Sequence, residues 1–130
     1  KIVTFALGSD LSIPDGPPTL EMPYPPESNA DEVTIANGEA KYHSYCFVCH
    51  GAGAVGGGVI SDLRYMNEET HKKFSAIVLG GMYTNKGMVS FSDILSQEDS
   101  EEIHAYLIQR AKVIFYLVRL YSFLKYQIYH

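Results

Sequence analysis

Between Asp31 and Tyr45 apolar residues recur every three or four positions, a helical spacing that places Val33, Ala36, Ala40 and Tyr45 on an inner face. Glu68 to Leu79 shows the same pattern through Phe74, Ile77 and Val78, and Gly80-Gly81 stops it. A third helix opens at Ser96-Gln97-Glu98-Asp99, where a hydroxyl followed three residues later by an acid can satisfy the unpaired amides of a first turn. Its first part, to Ala111, carries Ile103, Tyr106, Leu107 and Arg110 at helical spacing. Gly51 to Val59 is too glycine-rich to be anything but loop. The pattern predicts a compact, mostly helical domain over residues 31–111.

The periodicity continues past that domain. Ile103, Leu107, Arg110, Ile114, Leu117, Tyr121, Leu124 and Ile128 alternate steps of four and three. A single helix from Gln97 to Ile128 would be about 48 Å long. Residues 112–130 therefore read as an apolar helical tail with three open roles: extra core by folding back, a self-association or partner-docking helix, or an interfacial membrane contact through Val113–His130. Val113 to Leu124 is interrupted by Arg119 and followed by Lys125, too short and too charged to span a bilayer.

Upstream, all six prolines fall between Pro14 and Pro26. Proline fixes φ and removes a donor, so this stretch should be an extended linker or a surface-hugging arm. Before it, Ile2, Val3, Phe5 and Leu7 form a β-prone run that could pair only with some other sheet. Residues 1–30 are thus a strand stub with a proline-rich arm. The first residues lack an apolar signal core, so an exported chain would have lost its leader or carry it upstream.

Composition narrows the function. Hydrophobic residues make up 46% and charged residues 19%, as in folded domains rather than disordered ones. A net charge of −5 disfavours nucleic acid, whose phosphates need clustered Lys and Arg. Two cysteines cannot build a disulfide framework.

Those two cysteines stand in Cys46-Phe47-Val48-Cys49-His50, the C-x-x-C-H spacing of covalent haem c attachment. Thiols one helical turn apart share a face and can add to two vinyl groups along a porphyrin edge, while the adjacent imidazole is aimed at the iron. A zinc site would need two further ligands, and a redox dithiol would open a helix after a strand. A second axial ligand must come from Met66, Met82, Met88, His71 or His104. Met88 lies in the loop Gly87-Met88-Val89-Ser90-Phe91, from which a thioether can approach the iron's far side, with Met82 next in line. Met66 and Met82 sit near helix ends and read as packing; His71 and His104, among charged neighbours, read as solvated. Gly51-Ala52-Gly53-Ala54-Val55-Gly56 matches G-x-G-x-x-G, but no strand precedes it, so its glycines read as backbone passing close to the haem edge. No nucleophile triad, P-loop or carboxylate pair is present, and no catalytic residue is assigned.

With these residues the chain resembles class I cytochrome c domains, in particular the C-terminal cytochrome domain of quinohaemoprotein alcohol dehydrogenases. The resemblance runs from Gly38 to Ala111. It rests on Gly38 and Tyr42, Cys46-Phe47-Val48-Cys49-His50-Gly51, Ser61-Asp62-Leu63-Arg64, Ile77-Val78-Leu79-Gly80-Gly81, Gly87 to Asp93, and Ile103-His104-Ala105-Tyr106-Leu107. It implies an all-α class I cytochrome c fold around one covalent haem c. It further implies that Gly38 lets the first and last helices cross closely, with Tyr42 and Tyr106 paired at the contact. Met88 would be the distal ligand, Arg64 a partner of a haem propionate, and a backbone carbonyl near Ser61 the acceptor for the ring of His50. Where the family usually has proline, Ser61 keeps that carbonyl but frees the backbone; the tail has no family counterpart.

The expected function is single-electron transfer in the periplasm or another exported compartment. The donor would be a pyrroloquinoline quinone (PQQ) dehydrogenase domain or subunit, and the acceptor a cytochrome, copper protein or oxidase. The competing classes are a haem-based ligand sensor or peroxidase-like enzyme with a displaceable distal ligand, and an assembly subunit acting through the tail.

Overall fold

The computed structural model describes residues 21–129. Among them are five α-helices, α1 (Glu32–Tyr45), α2 (Phe47–His50), α3 (Glu68–Lys72), α4 (Phe74–Val78) and α5 (Gln97–Tyr129), with 3-10 turns at Ala52–Ala54, Leu63–Tyr65 and Thr84–Lys86. The β-prone run Ile2–Leu7 and Pro14, Pro17 and Pro18 lie outside the described residues.

Helix starts follow local chemistry. The Asp31 carboxylate accepts from the Thr34 amide at 2.8 Å and caps α1. At α5, Asp99 Oδ2 accepts from the Ser96 amide at 2.8 Å and Ser96 Oγ accepts from the Asp99 amide at 3.1 Å, the reciprocal pair that Ser96-Gln97-Glu98-Asp99 predicts. Asn67 caps α3 through the Thr70 amide. The single helix expected over Glu68–Leu79 is broken at Lys73 (φ −98°, ψ 7°), whose amide is shared between the Glu69 and Thr70 carbonyls. That tight turn lets His71 and Phe74 both lie against His104.

The crossing of α1 and α5 organises the core. A Cβ at Gly38 would stand 1.9 Å from the Glu102 carbonyl oxygen, so the two backbones touch there and only glycine fits. The α1 face turned to α5 is consequently Ile35, Gly38, Tyr42 and Cys46, not the Val33, Ala36, Ala40 and Tyr45 stripe, all of which are exposed. Tyr42 and Tyr106 meet at 5.3 Å between ring centroids, joined in the core by Met66, Phe74, Val78, Leu95, Ile103 and Leu107. At the edge of the crossing Lys41 pairs with Asp99 (2.5 Å) and with Glu102, whose carboxylate also accepts from Asn37 at 3.0 Å.

His71 and His104 are not solvated as their neighbours suggest. His71 is 8% exposed and its Nδ1 lies 2.8 Å from His104 Nε2, while Phe74 stacks on His104 at 4.4 Å. Burial lowers both pKa values, that of His104 to about 4, with the His71 charge adding to it. Both are therefore neutral at neutral pH, one ring donating and the other accepting. Below the free value near 6.5 the unfolded chain takes up protons that folded His104 refuses until about pH 4. Stability should fall as pH drops through that window, at about 1.4 kcal/mol per pH unit for one proton. Urea midpoints against pH check this: His104→Gln should flatten the leg between pH 6.5 and 4. The acid loss from Asp99 and Glu102, whose pKa values Lys41 lowers, should persist below it.

The arm hugs the surface. Pro25 is buried, Tyr24 meets Phe115 edge-on at 5.2 Å, and Glu27 pairs with Lys112 at 3.0 Å. Beyond this contact α5 continues to Tyr129, and every residue from Tyr116 to Ile128 is exposed. The tail does not fold back as extra core. The 33-residue helix is about 50 Å long, and none of the described helices is long and apolar enough to cross a membrane.

Candidate functional site

The C-x-x-C-H segment is the kinked continuation of α1. Cys46 (φ −107°, ψ −29°) ends α1 and begins α2, its carbonyl accepting from the amides of Cys49 and His50. Both thiols are free and one turn apart, with Cys46 half-buried against the core and Cys49 exposed. Burial pushes the Cys46 thiol up to about 11. Among the described residues no group of three or more His, Cys, Asp and Glu gathers as a metal cage.

His50 is held from behind. Its Nδ1 lies 3.4 Å from the Ser61 carbonyl oxygen, the acceptor expected for its ring. Donation there leaves the Nε2 lone pair facing away from the backbone, ready to ligate. Burial lowers the His50 pKa, which favours the neutral imidazole that ligation needs.

Two side chains placed on helix faces by the sequence, Tyr42 and Arg110, take a second role that it did not show and lock the segment after the motif. Tyr42 Oη donates to the Gly51 carbonyl at 2.8 Å, and Arg110 Nε donates to the Gly53 carbonyl at 3.4 Å. The available signal for Arg110 was a charged residue inside an apolar stripe. Gly51 has φ +73°, and a Cβ there would stand 2.5 Å from the Val55 carbonyl oxygen; one on Gly56 would stand 2.2 Å from that of Ile60. These glycines serve close packing of the loop on its own backbone.

Of the distal candidates, Met66 is buried in the core as packing, whereas Met82 is 45% exposed at a turn and packs little. Met88 follows Gly87 (φ +92°) and is half-buried, packed against the same core cluster as Cys46, Leu63 and Phe91. His71 and His104 are committed to each other. Arg64 is clamped by Asp62, Nε to Oδ1 at 2.9 Å and Nη2 to Oδ2 at 2.6 Å. This aligns the guanidinium but spends part of its donor set.

The donors present fit a covalent haem: two thiols one turn apart, an oriented neutral imidazole, and a thioether on the same core. Exposed Val48, Val59 and Ile60 add apolar surface of the kind a porphyrin covers.

Fold and site together define a helical cytochrome c domain. The chain belongs to the cytochrome c family described as "Cytochrome C oxidase, cbb3-type, subunit III", whose profile matches residues 33–107. It is 39% identical over 111 residues to quinohemoprotein alcohol dehydrogenase ADH-IIG of Pseudomonas putida, covering 85% of this chain and 15% of that protein. It is 32% identical over 111 residues to the dehydrogenase subunit of alcohol dehydrogenase (quinone) from Acetobacter aceti, again 85% of this chain and 15% of that one. The solved structure of the ADHIIG enzyme from Pseudomonas putida HK5 superposes with a TM-score of 0.70 at 40% identity, covering 82% of this chain and 15% of that one. The chain thus spans about one seventh of the length of the relatives it matches. Its cofactor is covalently bound haem c, and it is homologous to the electron-transfer cytochrome part of quinoprotein alcohol dehydrogenases.

Proposed function

We propose that residues 31–111 form a periplasmic haem c domain that receives single electrons from a PQQ-dependent dehydrogenase, in the same chain or a partner, and passes them to a cytochrome, copper protein or oxidase. The observation that carries this is Cys46-Phe47-Val48-Cys49-His50 on one helical turn, with His50 Nδ1 tied to Ser61. The relatives' names supply the donor class.

In this reading Cys46 and Cys49 would anchor the ring, and His50 Nε2 and the Met88 sulfur would ligate the iron. When bound, haem c supplies one electron of redox capacity between ferric and ferrous iron. The chain's own part is to keep the ligand set the same in both oxidation states. Ser61 holds the tautomer and plane of His50, Tyr42 and Arg110 pin the loop beside it, and the core packs Met88 in place. Donors held in this way, His50 by Ser61 and Met88 by the core, would move little when the iron changes oxidation state. Arg64, aligned by Asp62, is proposed to face a propionate. Residues 1–30 would connect to the donor, and residues 112–130 form a separate tail.

Absorption spectra of the purified protein, oxidised and reduced, test this. A c-type spectrum with the weak red band of methionine on ferric iron is expected. Haem without that band would overturn the Met88 assignment, and no haem, from cells competent to attach it, would overturn the site.

A further inference from the structure

At the end of α4 two adjacent carbonyls are claimed by two adjacent residues of the Met88 segment. Carbonyls at a helix end have no amide of their own helix to accept from. Here the Val78 carbonyl accepts from the Phe91 amide at 2.9 Å, and the Leu79 carbonyl from the Ser90 hydroxyl at 2.6 Å. A serine hydroxyl has one proton to give, and the short contact to Leu79 takes it. Its lone pairs are left for Ser92, whose amide donates to Ser90 Oγ at 3.4 Å and whose own Oγ lies 3.2 Å away. Gly81 backs the same residue. It has φ +66°, and a Cβ there would stand 3.2 Å from Ser90 Cβ, so a side chain at position 81 would crowd Ser90.

Met88 therefore hangs between two ties. Its own amide donates to the Tyr83 carbonyl at 3.2 Å, and Ser90 is fixed two residues further on. Two residues span about 7 Å at full extension. While Ser90 stays on Leu79, the Met88 backbone cannot retreat beyond that reach. The other end of the tie is rooted, because Phe74, Ile77 and Val78 of α4 are all buried. Phe91 adds its own hold, half-buried against the core, with its carbonyl accepting from the Leu95 amide at 2.8 Å. Ser90 itself is exposed and fills no core space, so it acts on the segment through its hydroxyl.

We propose that Ser90 is a positioning residue for the distal ligand: its hydroxyl ties the Met88 segment to the end of α4 and sets how readily the thioether can be withdrawn. The proposal rests on the reading that Met88 ligates the iron, and names the group that holds it there. If packing alone held Met88, any weakening of the domain would loosen it equally.

Imidazole titration of the ferric, haem-loaded chain tests this, since imidazole must take the place of Met88. Ser90→Ala should bind imidazole about two- to tenfold more tightly, the effect of removing one hydrogen bond from the closed form alone. It should also lose the red methionine band at a lower temperature. Asp31→Ala removes the cap of α1, which should lower the urea midpoint and leave the imidazole affinity unchanged. In the unaltered protein, saturating imidazole should speed hydrogen exchange of the Phe91 amide, whose bond to Val78 lies beside the tie. Equal imidazole affinity in Ser90→Ala and the unaltered protein, with the red band present in both, overturns the role of Ser90 and leaves the Met88 reading intact. Equal gains in Ser90→Ala and Asp31→Ala overturn it as well, as a general loosening. Unchanged Phe91 exchange does so without any variant. If the unaltered protein lacks the red band, the Met88 reading fails first and this proposal with it.

Discussion

Replacing Met88 with alanine should turn a low-spin, six-coordinate haem into a high-spin one that binds carbon monoxide and loses the red methionine band. The reduction potential should fall by on the order of 0.1 V or more, within the span of about 0.8 V that axial ligands control. The reason lies in the packing: Met88 is half-buried and packs against the same core cluster as Cys46, whereas Met66 is consumed by that core and Met82 is largely exposed. Redox titration with spectra of both oxidation states measures it. If the spectrum and potential are unchanged, Met88 is not the ligand. If instead the unaltered protein already binds carbon monoxide readily, the sensor or peroxidase-like class gains over electron transfer.

Gly38→Ala should be the most damaging single substitution on α1. Its Cβ would stand 1.9 Å from the Glu102 carbonyl oxygen and 2.5 Å from that carbonyl carbon. Both atoms are backbone, so no rotamer change relieves the clash, and α1 must move off α5. Overpacking costs of about 3 kcal/mol or more are expected, against about 1 kcal/mol gained in helix propensity. The clash wins. Denaturant unfolding should show a net loss of about 2 kcal/mol or more, and movement of α1 should also loosen the Tyr42 hold on Gly51. Gly57→Ala is the control: a Cβ there meets nothing within 4 Å, and stability should change by less than about 0.5 kcal/mol.

Much of the site was legible because its signals are local. C-x-x-C-H carries its chemistry in five consecutive residues, and Ser96 with Asp99 carries a cap within one turn. The extension of α5 to Tyr129 follows the unbroken four-and-three spacing. Arg64 shows the limit of that kind of signal. Its neighbour Asp62 is two residues away in sequence, yet only the 3-10 turn at Leu63–Tyr65 shows the carboxylate folded back onto the guanidinium.

What the sequence by itself determined is the C-x-x-C-H spacing of Cys46, Cys49 and His50, the helical class of the domain and the continuation of its last helix. These depend on spacing within one or two turns. Periodicity misplaced the inward side of α1, because it shows that a face exists but not what it meets; the crossing at Gly38 with Tyr42 against Tyr106, which only the resemblance implied, is the one the tertiary structure shows. Backbone contact at Gly38 turned Ile35, Tyr42 and Cys46 inward and left Val33 exposed. Tertiary structure alone decided that His71 and His104, 33 residues apart and surrounded by charge in the sequence, become a buried neutral pair, since burial depends on what packs above a residue and not on its neighbours along the chain. The same holds for Arg110, whose place in an apolar stripe makes sense only once the Gly53 carbonyl lies opposite it.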